Sequence, residues 1–132
     1  MPGPTRRPTV LVLDDDEDSV LILEAALDAS GFDVRVARSW REAREMLEST
    51  PTDALVTDLS LGDGDALELM ASLGARRPRV AVLVTGFGGA EDRARSAEAG
   101  FDAHLVKPIA LDQLEHTLWR CLTSSEQAAA RG

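Results

Sequence analysis

The 132-residue chain is 44% hydrophobic and carries a formal net charge of −9. This size fits one domain with its own core, and the acidity argues against direct nucleic-acid binding, which requires neutralising phosphates. The single cysteine, Cys121, excludes a disulfide framework and a cysteine-based zinc site. Because no apolar run reaches the length of a membrane span and the first residues lack a signal-peptide pattern, we expect a cytoplasmic protein.

Strand and helix patterns alternate five times along the chain. A leader at 1–8, expected to be flexible, precedes one domain at 9–123, and a polar, alanine-rich tail at 124–132 is expected to fray. The predicted strands are short apolar runs bounded by turn residues, at Thr9–Leu13, Asp33–Ala37, Ala54–Asp58, Val80–Thr85 and Ala103–Val106. Apolar residues at helical spacing follow each strand, and glycines stand where several of these helices should end.

Three segments outside the strands carry further signals. Ser39 and Glu42 form a capping box at the start of the second helix. The fourth helix, at 90–99, is rich in alanine and charge. We expect its alanines to point inward and this helix to be the least firmly packed. The only basic cluster, at 76–79, is expected to be a solvated loop.

This alternation with short connections predicts a doubly wound α/β fold. Its five-stranded parallel sheet, covered by helices on both faces, would be flavodoxin-like with strand order 2-1-3-4-5. The order reverses between strands 1 and 3, and ligands of such sheets bind at that point, outside the carboxyl ends of the strands.

Polar residues stand at four of the predicted strand ends, where the fold brings them together. They are Asp14 and Asp15 after strand 1, Asp58 at the end of strand 3, Thr85 after strand 4 and Lys107 after strand 5. Crowded carboxylates repel one another, and a hard divalent cation such as Mg²⁺ relieves that repulsion. The alternative is an acidic cluster that solvates a turn, which the contribution of three separate segments disfavours.

Such a group of residues is suited to accepting a phosphoryl group. Asp58 would be the nucleophile, while Lys107 and a cation would balance the negative charge of the transition state and Thr85 would donate a hydrogen bond. Lys107 could instead be an ordinary surface charge, a reading that its combination with Asp58 disfavours.

Four short motifs together resemble those of one protein family. They are VLDDDE at 12–17, VTDL at 56–59, VTG at 84–86 and VKP at 106–108. In this order and spacing they resemble the response-regulator receiver domain of two-component phosphorelay signalling, over residues 9–123. The resemblance implies a signalling domain rather than an enzyme, although one that assists its own phosphoryl transfer and dephosphorylation.

The resemblance also implies a role for each site residue. Asp58 would be the phosphoacceptor and would hold Mg²⁺ together with Asp15 directly, Asp14 through water and the backbone carbonyl of Ser60. Thr85 and Lys107 would bind the phosphoryl group, and the bond between Lys107 and Pro108 would be cis.

The implied partners are proteins. A histidine kinase or a histidine phosphotransfer protein would supply the phosphoryl group. A downstream protein effector would then read the surface of helix 4, strand 5 and helix 5, and phosphorylation could produce a homodimer. Trp119 could belong to that surface or pack at the edge of the core. A stand-alone regulator and a receiver from a hybrid histidine kinase both remain open.

Several positions depart from the family pattern. Gly62 stands where proline is frequent and Ala66 where glycine is frequent, so we expect a more mobile loop after Asp58. His104 occupies the position of an aromatic switch residue, and it could either switch with Thr85 or pack against helix 4. Phe87 could shield an acyl phosphate from water or be an exposed loop residue.

Three other functions are conceivable for a chain of this outline: an aspartyl phosphatase, a flavin-binding protein and a pseudo-receiver. An aspartyl phosphatase would have Thr or Val where Asp18 stands, and the acids after strand 1 would repel the phosphate of a flavin cofactor. The remaining alternative is a phosphorylation-independent pseudo-receiver that acts as a protein-interaction module. The joint presence of Asp15, Asp58, Thr85 and Lys107 argues against it.

Overall fold

Five strands and five α-helices alternate in the computed structural model, which describes residues 7–86 and 88–131. The strands are β1 (Thr9–Leu13), β2 (Asp33–Ala37), β3 (Ala54–Asp58), β4 (Val80–Thr85) and β5 (Ala103–Val106). The helices are α1 (Glu17–Ala29), α2 (Trp40–Ser49), α3 (Ala66–Leu73), α4 (Ala90–Glu98) and α5 (Leu111–Arg131). The predicted leader lies mostly outside the described residues.

The five strands form one parallel sheet in the order β2-β1-β3-β4-β5, which confirms the predicted fold. Leu13 of β1 pairs with Thr57 of β3, so the next residues, Asp14 and Asp58, are neighbours at the carboxyl edge. A two-stranded hairpin, Ser60–Leu61 paired with Gly64–Asp65, lies in the loop between β3 and α3. We call it the β3–α3 hairpin.

The sheet separates two apolar clusters, because successive strand residues point to opposite faces. Val10 and Val12 of β1 belong to the cluster shared with α1 and α5. Leu11 and Leu13 belong to the cluster shared with α2 and α3. Apart from Thr9, β1 consists of apolar residues, as expected for a parallel strand that is buried on both faces.

Side-chain caps begin three of the helices at the positions that the sequence favours. Asp16 accepts from the Ser19 amide, Ser39 from the Glu42 amide and Asp65 from the Glu68 amide. The capping box is incomplete, because the Glu42 carboxylate accepts from the amide of Arg38 (3.1 Å).

Helix α4 packs differently from the expectation. Its one buried residue is Ser96, whereas Ala90, Ala94 and Ala97 are exposed, so the prediction that alanines form the inward face was wrong. Polar contacts attach the helix instead: the Ser96 hydroxyl lies 3.0 Å from His104 Nδ1, and Arg93 donates to the carbonyl of Gly88 (3.1 Å). Few apolar side chains fix α4 to the sheet.

Helix α5 is longer than the sequence pattern indicated. It continues to Arg131, although the chain was expected to fray from Ser124. The alanines of this segment favour helix more than any other residue type. Earlier in α5, Trp119 stacks on Phe32 with ring centroids 4.5 Å apart, so Trp119 packs at the edge of the core.

Arginines bind helix ends at the opposite, amino edge of the sheet. Arg76 donates to the carbonyl of Glu48 and Arg77 to that of Gly100, both at 2.7 Å. Arg7 donates to the carbonyl of Asp28 at 2.6 Å. Cations are favourable at helix C-termini, where carbonyls lack intrahelical partners. The basic cluster expected to be a solvated loop therefore anchors two of these helix ends.

We expect Leu118→Ala to lower the free energy of unfolding by about 2–5 kcal/mol, since Leu118 is fully buried and its truncation leaves a cavity. Leu21→Ala is the matched control, because Leu21 is 60% exposed on α1 and its loss should change stability by about 0.5 kcal/mol or less. Urea unfolding of both variants checks this. Equal losses would contradict the assignment of α5 to the core.

Candidate functional site

Three carboxylates meet at the carboxyl edge of the sheet. Asp14 follows β1 directly, Asp15 follows it, and Asp58 is the last residue of β3. One oxygen from each lies within 4.8 Å of the other two. The parallel register of β1 and β3 produces this cluster from residues that are more than forty positions apart.

Asp14 is the buried member of the cluster. Its side chain is 5% exposed, and Asp16 donates its amide to one carboxylate oxygen at 2.9 Å. Burial raises the pKa of Asp14, and the charges of Asp58 and Asp15 raise it further, although the Asp16 amide and Lys107 act in the opposite direction. The ionised carboxylate of Asp14 is therefore held at a cost in folding free energy.

Lys107 supplies positive charge to the cluster. Its Nζ lies 3.1 Å from Asp58 Oδ2 and 3.6 Å from Asp14 Oδ2. Burial acts to lower the pKa of Lys107, but the hydrogen bond to Asp58 and the charges of both carboxylates outweigh it, so that the pKa is raised. The peptide bond from Lys107 to Pro108 is cis. Lys107 is also the only lysine among the 14 lysine and arginine residues of the chain.

The Asp58 carboxylate is held on both oxygens. The backbone amide of Leu59 donates to Oδ1 at 2.7 Å, and Lys107 donates to Oδ2 at 3.1 Å. The side chain remains 20% exposed, so a second molecule can reach it. A fixed, accessible carboxylate beside an ammonium group can act as a nucleophile toward a phosphoryl donor.

Thr85 and His104 line a common cavity of about 20 Å³ beneath α4. Thr85 is buried at the end of β4, and its carbonyl accepts from the amide of Lys107 (2.8 Å). The Ser96 hydroxyl donates to the carbonyl of Arg93 (2.9 Å). The same hydroxyl lies within hydrogen-bond distance of His104 Nδ1 (3.0 Å).

Ser60, a further predicted site residue, lies in the loop after Asp58. Ser60 begins the β3–α3 hairpin two residues after Asp58, where it pairs with Asp65 and is exposed. Its carbonyl role stays a prediction. Phe87 lies outside the described residues.

A groove of about 570 Å³ leads to Asp58 and Lys107. Its walls are mainly apolar and come from α1 and from the segment after β5, namely Ile22, Leu23, Pro108, Ile109 and Leu111. Ile22 is 58% exposed and its neighbour Leu21 is 60% exposed. The sequence reasoning missed this groove. The signal for it in the sequence was the adjacent pair Leu21 and Ile22, two apolar residues that do not belong to the buried stripe of Val20, Leu23 and Leu27.

The cluster fits a hard divalent cation. Mg²⁺ and Ca²⁺ bind oxygen ligands, and Mg²⁺ takes a few carboxylates and keeps several waters. Asp14, Asp15 and Asp58 offer three such oxygens. Lys107 balances only part of the negative charge of these carboxylates, so the cluster can still attract a cation.

The fold and the site together define a class of protein with a doubly wound parallel sheet, acids at the switch point of that sheet and a lysine at the end of β5. The family model of the response regulator receiver domain matches residues 10–118. The chain belongs to this receiver-domain family.

Relatives and solved structures agree with this assignment. The response regulator protein PilR of Pseudomonas aeruginosa is 35% identical over 82% of this chain and 24% of its own length. The transcriptional regulatory protein PrrA of Mycobacterium leprae is 38% identical over 81% of this chain and 46% of its own. The chain thus spans less than half the length of these two relatives.

Among solved structures, a CheY-like receiver domain protein from Methanospirillum hungatei is similar at a TM-score of 0.87 and 25% identity, over 93% of this chain and 99% of that one. A response regulator protein from Burkholderia pseudomallei, described with a phosphorylated aspartic acid, a calcium ion and citrate, is similar at a TM-score of 0.78 and 25% identity, over 93% of this chain and 73% of that one.

Within the described residues, none of the helices has the length and apolar character needed to cross a membrane.

We expect Asp14→Asn to raise the free energy of unfolding at pH 7 in buffer without divalent cations, and to raise it more than Asp15→Asn does. Both variants remove one charge from the cluster, but Asp14 is buried and Asp15 is exposed. Because the pKa of Asp14 is raised, its penalty is absent below the pKa of the unfolded state and develops as the pH rises through the folded-state value. Urea unfolding at pH 3.5 and pH 7 measures this, and a larger gain from Asp15→Asn would contradict it.

Proposed function

We propose that this domain receives a phosphoryl group on Asp58 and transmits that event to a protein partner. The observation that carries the proposal is the pair of contacts on Asp58, from the Leu59 amide and from Lys107 Nζ. Together they fix an accessible carboxylate next to a cation, and the receiver-domain family match supports that role.

In the proposed reaction a carboxylate oxygen of Asp58 attacks the phosphorus of a donor. The bond from phosphorus to the donor atom breaks, and the donor leaves with that electron pair. Lys107 would then bind an oxygen of the new acyl phosphate, and the Thr85 hydroxyl would donate a hydrogen bond to another. Mg²⁺, held by Asp14, Asp15, Asp58 and the Ser60 carbonyl, would supply further positive charge for the transition state. Hydrolysis of the acyl phosphate, assisted by the same residues, would return the domain to its first state.

A histidine kinase or a histidine phosphotransfer protein is the proposed donor, and we place this exchange in the cytoplasm. The apolar groove between α1 and the segment after β5 ends at Asp58, so a helix with an apolar face could bring a phosphohistidine to the carboxylate. The exposed side chains of Leu21 and Ile22 would contribute to that contact.

The output would be a change in the populations of two conformers. The phosphoryl group adds about −1.5 to −2 charges next to Lys107 and Thr85. Because Thr85 shares a cavity with His104, movement of Thr85 would change the contact of His104 with α4. Helix α4 buries little apolar surface, so a modest difference in free energy could shift it. A downstream effector, or a second copy of this domain, would read the surface of α4, β5 and α5.

We expect Asp58→Asn to abolish phosphorylation, since an amide oxygen is not a nucleophile of this kind. The measurement is intact-mass spectrometry after incubation with acetyl phosphate and Mg²⁺, in which wild type gains one phosphoryl group and the variant none. Asp53→Asn is a matched control on the same strand segment, because Asp53 lies at the opposite edge and accepts from the amide of Thr9 (2.8 Å).

An adduct on Asp58→Asn would place the phosphoacceptor elsewhere. If wild type gains no mass over a range of donors and times, and a fast-quench measurement shows no short-lived adduct, the pseudo-receiver is the better description.

We expect Lys107→Arg to slow phosphorylation by about 10-fold or more. Arginine keeps the charge but replaces a compact ammonium with a wide planar group, which displaces the reacting carboxylate. Stopped-flow phosphorylation by a small donor measures the rate constant. Arg38→Lys is the control, because Arg38 is an exposed residue whose ion pair with Glu17 (3.7 Å) lies on the surface, and its rate should match wild type. A Lys107→Arg rate equal to wild type would contradict the assigned role.

A further inference from the structure

The β3–α3 hairpin is connected directly to the phosphoacceptor. The amide of Leu59 donates to Asp58 Oδ1 at 2.7 Å, and the carbonyl of Leu59 accepts from the amide of Ala66 at 2.9 Å. The hairpin between them closes through the pairing of Ser60 with Asp65. A displacement of the hairpin therefore moves the amide that holds Asp58.

The tip of this hairpin is attached to a different helix by Asp63. One carboxylate oxygen accepts from the amide of Trp40 at 2.8 Å and the other from the amide of Arg41 at 3.2 Å. The first amides of a helix lack intrahelical acceptors, and Ser39 serves the next one, that of Glu42. The bond from Trp40 is the main cause that lowers the pKa of Asp63, so this carboxylate is ionised at neutral pH, as suits a helix N-terminus.

Trp40 also packs directly on the hairpin. A Cβ atom built on Gly64 would lie 2.7 Å from Trp40 Cδ1, so the ring occupies the space that any side chain at this position would need. The indole Nε1 of Trp40 is buried and, within the described residues, has no hydrogen-bond partner. Burying that group is unfavourable, and the ring keeps this place nevertheless. Leu61 of the hairpin is buried in the cluster shared with α2 and α3, whereas a Cβ atom on Gly62 would meet open space. At the tip itself, the described contacts with α2 are those of Asp63 and of the Trp40 ring on Gly64.

We propose that Asp63 and Trp40 are positioning residues for phosphoryl transfer at Asp58. By holding the hairpin against α2, they fix the Leu59 amide and the Ser60 carbonyl beside the phosphoacceptor. Neither residue touches the reacting atoms. This inference rests on the proposed function of Asp58.

The test compares Asp63→Ala with Ser39→Ala. Both variants remove a side chain that accepts a hydrogen bond from the first amides of α2. The bond of the Ser39 side chain is with Glu42, and within the described residues none joins it to the hairpin. Three quantities are measured on the full chain: hydrogen exchange of residues 59–65 without metal, Mg²⁺ affinity by isothermal titration, and the rate constant for phosphorylation by acetyl phosphate. Urea unfolding reports the stability of each variant.

We expect Asp63→Ala to speed exchange in residues 59–65 and to weaken Mg²⁺ binding by about 10-fold, as is common when a residue that supports a ligand is lost. Its phosphorylation rate constant should fall by a similar factor. Ser39→Ala should lose stability but keep its Mg²⁺ affinity and rate constant within about twofold of wild type. Asp63→Asn, which keeps one good acceptor, should fall between Asp63→Ala and wild type, and it serves as the test variant if Asp63→Ala does not fold.

Equal effects of the Asp63 and Ser39 variants on Mg²⁺ affinity would overturn the proposal, because the hairpin contact would then matter only through the stability of α2. Unchanged affinity and rate in Asp63→Ala would overturn it as well, with phosphorylation of wild type still intact. A wild type that neither binds Mg²⁺ nor gains a phosphoryl group would refute the proposed function, and the positioning role would fall with it. The exchange data would then describe the hairpin contact alone.

Discussion

The crowding of Asp14, Asp15 and Asp58 at one sheet edge is the constraint on which the rest of the structure depends. Three acidic oxygens within 4.8 Å of one another repel, and one of the three carboxylates is buried. Lys107 offsets part of that repulsion through contacts of 3.1 and 3.6 Å, and the proposed divalent cation would offset more of it. Under the proposed function, the same charges that weaken the metal-free domain would bind the cation and position Asp58 for phosphoryl transfer.

The two apolar clusters on either side of the sheet make that arrangement possible. Strands β1 and β3 are buried on both faces, so their carboxyl ends cannot separate to relieve the repulsion without exposing the core. Helix α4, by contrast, buries only Ser96 and is attached largely by the polar contacts of Ser96 and Arg93. The domain thus combines a sheet that is packed on both faces and fixes the acids with a neighbouring helix that few apolar side chains hold in place.

The strands, their order and the acids at their ends could be predicted from the sequence. Short apolar runs bounded by turn residues indicate buried strands, and the doubly wound topology determines which strand ends meet. Other features depend on tertiary contacts that no local pattern contains. The alanines of α4 were expected to face inward, but Ser96 does so because His104 offers it a hydrogen-bond partner. The contact of Asp63 with α2 joins residues more than twenty positions apart, and Trp119 lies on Phe32 because α5 passes the end of α1.

The arginines at the amino edge of the sheet have a consequence for molecular encounter. Arg76, Arg77 and Arg7 occupy helix ends at one edge of the sheet, whereas Asp14, Asp15 and Asp58 form a negative cluster at the other edge of a domain of net charge −9. In the field of a partner with a basic surface, this cluster favours an approach that presents the Asp58 edge to that partner. Orientation of this kind acts over roughly 10 Å at moderate salt, and the proposed phosphoryl group on Asp58 would add negative charge at that edge.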